Sequence, residues 1–417
     1  MTSKKQEHHI NLPMFLLTIF VIIITAIFCI KYCSLFDEFG LFAKRRLIDY
    51  PLITFVITPV FFWISAFLCR QYSIYASGNH LSQALRELKK HPNDFSKVSD
   101  FLNIRLVMIK AVSSLIACFG GGSLGKEGPS VHMSSGIFAA LATKYKKSLP
   151  KINLETWVFA GTATGLAIAF NAPIAGIVFV IEKLAKSKFR DFKNNIIWTL
   201  ITVSIITIIF HRPEPLFNFH NLNFAPRTES LLLIFTALIC GLLAFIFQTS
   251  CNHFYLKTSS VKSSWWHLTP IVGGLLVAYI NFYCGIYSFS GGIHTSQEAL
   301  LNPEPILSYK EVGGRILNTI ITFASGCAGG LIAPAMAIGT GIGSIISNLM
   351  PGVDVGIFLL IGMSAFLGSI LGEPLTVAIV VFETTGQDAR NIPFFLGAAI
   401  ISLTTTKGLG RLKNKFK

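Results

Sequence analysis

Residues 120–130 read GGGSLGKEGPS, a glycine-rich turn that leads into a proline. A turn of this kind before a helix leaves backbone N–H groups unpaired at the helix start, and with the helix dipole they form an anion site. The spacing up to Lys126 also matches a phosphate-binding loop, but Glu127 stands where that loop has the Ser or Thr that holds Mg²⁺. The stretch therefore predicts an anion site that carries a carboxylate of its own.

The second half of the chain repeats this stretch. When Gly125 is aligned with Gly330, the segment GKEGPSVHMSSG aligns with GLIAPAMAIGTG, and Pro129 aligns with Pro334. Two further pairs in the same order are NAPIAGIVFVIE (171–182) with GEPLTVAIVVFE (372–383), and Ser77-Gly78-Asn79 with Ser290-Gly291-Gly292. Ordered pairs about half a chain length apart indicate an internal duplication. Membrane proteins built from two such halves commonly place the substrate site at the interface of the halves, where interrupted helices end.

The composition is that of a membrane protein. Of the 417 residues, 52% are hydrophobic and 13% are charged, whereas an average soluble domain is roughly 25% charged. Several long apolar runs suit a span of about 20 residues, and others are interrupted by Gly or Pro. The formal charge is +15. Its Lys and Arg clusters lie between the runs, where they indicate topology signals and contacts with anionic lipid rather than with nucleic acid.

We therefore expect an all-α membrane protein with a single transmembrane transport domain over residues 1–417. The first repeat half is expected at about 50–210 and the second at about 230–410, and residues 1–11 are predicted to form a cytoplasmic tail. The first apolar run, Leu12–Ile30, lacks a small-residue cleavage site, so we interpret it as a retained span. The predicted location is the cell membrane, which in a bacterium is the inner membrane. The eight scattered cysteines are interpreted as small buried residues.

Irregular backbone is tolerated at membrane depth only where protein or an aqueous path covers it. The glycine-rich segments are therefore candidate linings of an anion pathway. The carboxylate of Glu127 can itself occupy the anion site, compete with the diffusing anion, and leave when it is protonated. Since ionisable residues within a membrane are costly and are functional by default, we interpret Glu127 as a gate and a candidate proton carrier. The alternative is a structural salt bridge from Glu127 to Lys126 or Lys110.

An enzyme is the less favoured interpretation. The segment GGSLG (121–125) formally matches the nucleophile elbow of hydrolases, which makes Ser123, with His132 or His267 as base, the candidate machinery of an intramembrane serine hydrolase. The elbow needs a strand before it, and so does a phosphate-binding loop. The sequence shows no convincing strand pattern, so no enzyme, cofactor or metal site is predicted.

The ordered motifs resemble those of the CLC family of chloride channels and chloride/proton exchangers over most of the chain. Four segments are similar to family signatures: GKEGP (125–129), GGLIAPAMAIG (329–339), FNAPIAGIVFVIE (170–182) and EPLTVAIVVFETT (373–385). In addition, ASGNHL (76–81) lies where the family has Gly-Ser-Gly-Ile-Pro-Glu. The resemblance implies a homodimer with one pore per subunit, inverted-topology helical repeats with broken helices at a central anion site, and Glu127 as the external gate.

By position, the resemblance also implies which residues bind the anion. Ser77 would coordinate the central chloride through its hydroxyl and nearby amides, and the amides of Ile332 and Ala333 would face the ion. Lys110 matches a lysine that the family carries upstream of the gate. The implied anion-binding set is Ser77, Gly78, Gly125, Lys126, Gly128, Ile332 and Ala333.

The chain departs from the family pattern at three places. Asn79-His80 replaces Ile-Pro and resembles the fluoride-selective branch, although Ser77 fits the chloride branch better. Lys183 follows Glu182 where exchangers often carry a second glutamate as the inner proton acceptor. Lysine cannot take that role without a large pKa shift. Finally, the coordinating tyrosine near the C-terminus has no visible equivalent, because the last tyrosine of the chain is Tyr309.

These features predict transport of chloride or a similar small anion through a gated channel or a loosely coupled chloride/proton exchanger. The candidate proton pathway consists of Glu127, Glu182 and Lys183. A strict exchanger of two anions per proton and a fluoride-exporting variant are the alternatives. The predicted partners are the anion, protons, membrane lipid and a second copy of the chain.

Overall fold

The computed structural model describes residues 12–78, 81–90, 94, 96, 98–145, 154–185, 215–217, 219–222, 229–261, 264–302, 307–349 and 354–415. Within these segments the regular structure is helical, and the one β-type contact is an isolated bridge between Gly125 and Gly330. The predicted all-α fold class is therefore confirmed. The predicted tail at residues 1–11 and the Asn79-His80 pair lie outside the described residues.

Fifteen α helices are described. The helices of the first half are α1 (Leu12–Asp49), α2 (Thr54–Tyr72), α3 (Leu81–Lys90), α4 (Ile104–Phe119), α5 (Glu127–Lys144), α6 (Leu154–Phe170) and α7 (Pro173–Ala185). The helices that follow are α8 (Glu229–Ser259), α9 (Leu268–Cys284), α10 (Ile293–Leu301), α11 (Tyr309–Ala324), α12 (Ile332–Ser347), α13 (Val355–Leu371), α14 (Pro374–Thr385) and α15 (Ile392–Lys415).

The duplication in the sequence is a duplication of helices. Helices α4 and α11 are both 16 residues long, and α6 and α13 are both 17. Helices α5 and α12 begin at Glu127 and Ile332, which the sequence alignment of the two halves places together. A polar cap starts both α4 and α11: Asn103 accepts from Leu106 N–H, and Ser308 forms a capping box with Glu311. The boundaries of the halves at 50–210 and 230–410 stay a prediction.

Small residues let the central helices approach closely. Gly339 of α12 lies against the backbone of Gly362 in α13, and Gly165 of α6 lies against Ser130 and Val131 of α5. A Cβ at either glycine would collide with backbone atoms of the neighbouring helix. Such contacts give dense packing where helices cannot rely on the hydrophobic effect in lipid. They hold α5 and α12, the two helices whose starts form the candidate site.

Helices α7 and α14 cap each other with glutamates at matching positions of the two halves. Glu182, near the end of α7, accepts from the amides of Leu375 (3.1 Å) and Thr376 (2.8 Å) at the start of α14. Glu383, near the end of α14, accepts from Ile174 (3.1 Å) and Ala175 (2.7 Å) at the start of α7. Each carboxylate therefore neutralises the positive end of the other helix and ties the two halves together.

The protein is a multi-pass membrane protein. Five described helices are long and apolar enough to cross a membrane: Ile19–Asp49, Pro51–Tyr72, Leu233–Ser259, Trp265–Cys284 and Ala389–Lys413. Large apolar side chains such as Leu231, Leu52 and Trp265 are more than two-thirds exposed and give these helices an apolar outer face. All eight cysteines are free, and seven of them are buried, in agreement with the sequence interpretation.

Candidate functional site

Four short loops meet in the interior of the helix bundle. Gly125 and Gly330 exchange backbone hydrogen bonds of 2.8 and 2.9 Å, so the two halves of the duplicated motif are paired directly. Ala76, next to Ser77, packs against Ala328, two residues before Gly330. The fourth loop is Ser290-Gly291-Gly292, and its Gly291 lies so close to the Leu124 carbonyl that no side chain fits. The structure therefore brings together all the glycine-rich segments that the sequence singled out.

Glu127 occupies the first position of α5 and is fully buried. Neither carboxylate oxygen makes a hydrogen bond of regular geometry among the described residues, but the amides of Glu127 itself and of Ala333 lie close enough to stabilise its charge. A Cβ added at Gly125 would contact both Glu127 Oε2 and the amide nitrogen of Ala333, so the carboxylate reaches across to the start of α12. The first amides of a helix have no acceptor within the helix. The carboxylate thus faces two helix starts, which is where a bound anion would lie.

The first turns of α5 and α12 leave a small set of amides for an anion. Pro129 and Pro334 take the third position of each helix and contribute no N–H, while Ser130 and Ala335 already donate to Lys126 and Leu331 carbonyls. The amides of Glu127 and Gly128, and of Ile332 and Ala333, remain. The Cα of Gly128 lies against Gly330, so a side chain at either position would separate the two helix starts.

Lys126 is paired with a residue that the sequence analysis did not single out. Its ammonium lies 2.5 Å from Asp37 Oδ2 of α1, and the lysine is 6% exposed. Lys110, the second proposed partner of Glu127, donates instead to the carbonyls of Ala76 (2.9 Å) and Gly78 (3.2 Å). In the described part of the chain, neither lysine forms a salt bridge with Glu127.

Ser77 lies on the other side of the loop cluster and has a tyrosine partner. Its hydroxyl donates to the Ile74 carbonyl (2.8 Å), so the 2.9 Å contact with Tyr255 is one in which the tyrosine O–H donates to Ser77 Oγ. Gly78 has a φ of +62° and packs against the Tyr255 ring, where a Cβ would lie 3.0 Å from the ring and the hydroxyl. Tyr255 belongs to α8, so in the sequence it is distant from both Ser77 and the C-terminus.

Two buried cations support the loops in matching positions. Lys110 of α4 holds the loop that contains Ser77 through the two carbonyls named above. Arg315 of α11 holds the matching loop through the carbonyls of Ser290 and Phe289, each at 3.0 Å, and through Thr295 Oγ1 at 3.0 Å. Both side chains are at least 98% buried. These cations give the interior a positive potential that favours anions.

Two small cavities flank the loop cluster. The first, of about 40 Å³, is lined by the Gly125 loop, Ala333, the fourth loop and the α1 face that carries Asp37. The second, of about 50 Å³, is lined by Ser77, Tyr255 and side chains of α2, α8 and α9. Each is large enough to hold water. The cavities are candidate entrances that end at the Glu127 loop and at the Ser77–Tyr255 pair.

The other candidate proton-pathway residues are already engaged. Both carboxylate oxygens of Glu182 cap α14, and Oε2 also accepts from Thr376 Oγ1 at 2.7 Å. Lys183 lies 2.5 Å from Glu373 Oε1, and the side chain of that glutamate is 4% exposed. Among the three candidates, Glu127 is therefore the one that neither caps another helix nor forms an ion pair in the described part of the chain.

The geometry does not assemble hydrolase machinery in the described residues. Ser123 Oγ lies 2.8 Å from Thr319 Oγ1, and the Ser123 amide donates to Thr322. His132 pairs with the Phe101 carbonyl, and His267 accepts from Trp63. The described partners of Ser123 are thus two threonines of α11.

Sequence reasoning missed Tyr255 and Asp37. The search for a coordinating tyrosine was directed to the C-terminus, whereas Tyr255 approaches Ser77 from α8. No motif surrounds Tyr255 or Asp37, and each contacts the site through long-range packing. The available signals were weak: a charged residue and a phenolic hydroxyl that lie a few residues beyond the apolar runs ending at Ile30 and Phe247, since such polar groups need a partner when buried.

A family model described as "Voltage gated chloride channel" matches residues 60–407. The chain belongs to this family. Two curated relatives are proteins named H(+)/Cl(-) exchange transporter ClcA, from Yersinia pestis bv. Antiqua (strain Angola) and Yersinia pseudotuberculosis serotype O:3 (strain YPIII). Each is 26% identical over 389 residues, covering 87% of this chain and 78% of the relative.

Solved structures of the family share the fold. A slow cyanobacterial Cl⁻/H⁺ antiporter has a TM-score of 0.79 at 19% identity, covering 95% of this chain and 94% of the other. A CLC-type fluoride/proton antiporter has a TM-score of 0.77 at 19% identity, covering 96% and 98%. The predicted CLC-type architecture is therefore confirmed. Because a chloride and a fluoride protein match almost equally at this identity, the likeness does not distinguish between the two anions.

Proposed function

We propose that this protein transports chloride or a similar small anion across the membrane, with the side chain of Glu127 as the gate. The observation that carries the proposal is the buried carboxylate of Glu127, which lies between the starts of α5 and α12 near the Ala333 amide and has no side-chain hydrogen-bond partner among the described residues. In its charged form it fills the place that an anion would take. Once protonated it loses its attraction to the helix starts and can leave that place.

The pathway we propose runs from the first cavity past Glu127 to Ser77, Tyr255 and the second cavity. Ser77 and Tyr255 share one donated proton between them, so an anion can be bound there when the tyrosine O–H turns from Ser77 to the ion. The amides of Gly78, Gly128, Ile332 and Ala333 are the proposed backbone donors, whereas the amide of Gly125, which the sequence also offered, already donates to the Gly330 carbonyl. Lys110 and Arg315 add positive potential around them, and Lys126 contributes a charge that its ion pair with Asp37 partly offsets.

Two forms of this function differ in whether anion movement is coupled to protons. The ion pair of Lys183 with Glu373 favours a channel or a loosely coupled exchanger, because the lysine that stands in the place of an inner acidic residue is itself held by a carboxylate. The curated relatives are named exchange transporters, so a strict exchanger is the second candidate. In either form we propose that protons act on Glu127, that the chain is not an enzyme, and that two copies form a homodimer.

The test is chloride efflux from liposomes that contain the purified protein and a potassium shunt. Wild-type flux should rise as pH falls, because protonation releases Glu127 from the site. Glu127→Gln, which cannot present a charge, should keep or raise the flux and lose most of its pH dependence. Glu127→Ala should do the same by emptying the site.

Two different results would contradict the two parts of the proposal, anion transport and the gate. Absence of chloride flux in a folded wild-type preparation would refute anion transport. Full pH dependence in a folded Glu127→Gln protein would refute the gate while leaving anion transport in place.

A further inference from the structure

The N-terminal helix reaches the residue next to the gate. Asp37 of α1 lies 2.5 Å from Lys126, which directly precedes Glu127 in the chain. The Lys126 side chain is 7% exposed, whereas that of Asp37 is 41% exposed. The family match begins at residue 60, so α1 up to Asp49 lies outside it. The contact therefore joins a helix beyond the matched region to the centre of the site.

The α1 surface that carries Asp37 is a wall of the first cavity. Phe36, Asp37, Gly40 and Lys44 line it from one side, and the Gly125–Lys126 loop and Ala333 line it from the other. Further along α1, Cys33 Sγ lies 3.4 Å from Ser130 Oγ in the first turn of α5. Helix α1 thus packs directly on the turn that presents Glu127, and the pairing of Asp37 with Lys126 takes place within the proposed entrance.

The charged and titratable groups around the gate are few among the described residues. Those facing Glu127 from its own segment and from α1 are Lys126, Asp37, Cys33 and Tyr32. From the α12 side, the contribution is backbone amide. At the rim, His294 and Glu298 of α10 lie near Lys44, whose ammonium is 2.6 Å from Glu298 Oε1. Lys126 and Asp37 are therefore the charges that act on the gate from short range.

We infer that Asp37 is a positioning residue for the gate, which holds the Lys126 ammonium and offsets its charge beside Glu127. Helix α1 thereby sets the pH at which the gate opens. The inference rests on the proposed function, since it needs Glu127 to be the titrating gate. An uncompensated ammonium beside Glu127 would favour the charged, closed form, whereas an uncompensated Asp37 carboxylate would oppose it.

The test measures the pH midpoint of chloride flux, each variant being normalised to its own maximum so that amplitude does not matter. Asp37→Asn should move the midpoint to lower pH by about 0.5 unit or more, because Lys126 is left uncompensated. Lys126→Gln should move it to higher pH, because Asp37 then acts alone. The double variant D37N/K126Q should lie between the two. Asp37→Glu, which keeps the charge, should stay closest to wild type.

The matched control is Glu298→Gln, which removes an ion pair of similar length at the rim of the same entrance and should leave the midpoint unchanged. If the Asp37–Lys126 ion pair only holds α1 in place, D37N and K126Q should lower the yield of folded protein and leave the pH midpoints unchanged, or shift both midpoints in the same direction. Either result overturns the inference. In the Glu127→Gln background, D37N should shift nothing. If Glu127→Gln removes pH dependence but D37N in the wild-type background has no effect, the inference fails while the gate stands. If Glu127→Gln itself retains the pH dependence, the gate assignment and the inference about Asp37 both fail.

Discussion

A fully buried carboxylate whose oxygens make no hydrogen bond of regular geometry is costly in free energy, because nearby amides replace its lost water only in part. Glu127 is such a residue, and it lies where two helix starts present amides that have no acceptor within their helices. A permanent structural role would have given this acceptor regular hydrogen bonds, whereas the amides of Glu127 and Ala333 only approach it. The unmatched arrangement fits a group that must leave its place when an anion or a proton arrives, which agrees with the general link between ionisable groups in membranes and function.

At the same scale, Tyr255 is the donor that we expect to complete the anion site. Tyr255→Phe removes the hydroxyl that now donates to Ser77 and leaves the ring that packs on Gly78. A hydrogen bond to a charged acceptor contributes roughly 1.5 kcal/mol or more, which corresponds to about tenfold weaker chloride binding. Isothermal titration calorimetry of the detergent-purified protein would measure the dissociation constant.

The matched control for this change is Tyr279→Phe. Tyr279 is 55% exposed on α9 and stacks on Tyr283, so the Tyr279→Phe protein should bind chloride with the dissociation constant of the wild type. An unchanged dissociation constant in Tyr255→Phe would show that the hydroxyl is a partner of Ser77 alone and not a ligand.

At the scale of elements, the reciprocal caps of α7 and α14 explain why two glutamates recur at matching positions of the halves. A helix start in a membrane has several amides to satisfy, and Pro173 and Pro374 remove only one each. Glu383 and Glu182 supply the remaining acceptors across the boundary between the halves. Glu182 is thus engaged as a cap, which separates it from Glu127 in role although the sequence offered both as proton-pathway candidates.

We expect these caps to contribute to stability. Glu182→Gln and Glu383→Gln should each cost about 1 kcal/mol, since the neutral amide keeps one acceptor but loses the charge at the helix end. Thermal unfolding in detergent should show a midpoint lowered by about 1–3 °C for each variant. Glu298→Gln, which removes an ion pair whose glutamate is 57% exposed, should cost less than about 0.5 kcal/mol. Equal midpoints for the cap variants and this control would contradict the capping role.

Sequence could predict the starts of these elements but not all of their contacts. Pro129 and Pro334 marked the first turns of α5 and α12, and Gly125 and Gly330 marked the close approach before them, because local geometry demands those residue types. The pairing of Lys126 with Asp37 was not predicted. The sequence offered a bond from Glu127 to Lys126 or Lys110 only as the alternative to the gate, and charge and spacing alone do not point to Asp37. The choice of Asp37 is made by the packing of α1, which no local pattern encodes.

For the whole molecule, the duplication was the most informative feature of the sequence. Two halves that each carry an interrupted pair of helices must bring their irregular turns together, because lipid tolerates no exposed backbone there. That argument placed the Gly125 and Gly330 loops at one centre, and the structure pairs them by hydrogen bonds. What the duplication could not supply is the asymmetry between the halves. Glu127 aligns with Ile332 in the second half, and Lys183 is paired with Glu373, so the residues that we propose for gating and proton coupling are ones that the repeat does not share.

This asymmetry leads to a prediction about coupling that only the intact protein in a membrane can test. With opposed chloride and proton gradients, a channel reverses at the chloride equilibrium potential. A strict exchanger of two anions per proton reverses one third of the way from there to the proton potential. Because Lys183 is held by Glu373 and Glu182 is engaged as a cap, we expect a reversal potential closer to the chloride value than that of the strict exchanger. A Glu127→Gln protein measured in parallel should reverse at the chloride potential, because it carries no gate proton. A wild-type value at the strict ratio would show that protons reach Glu127 by a route independent of Lys183, and would favour the exchanger form of the proposed function.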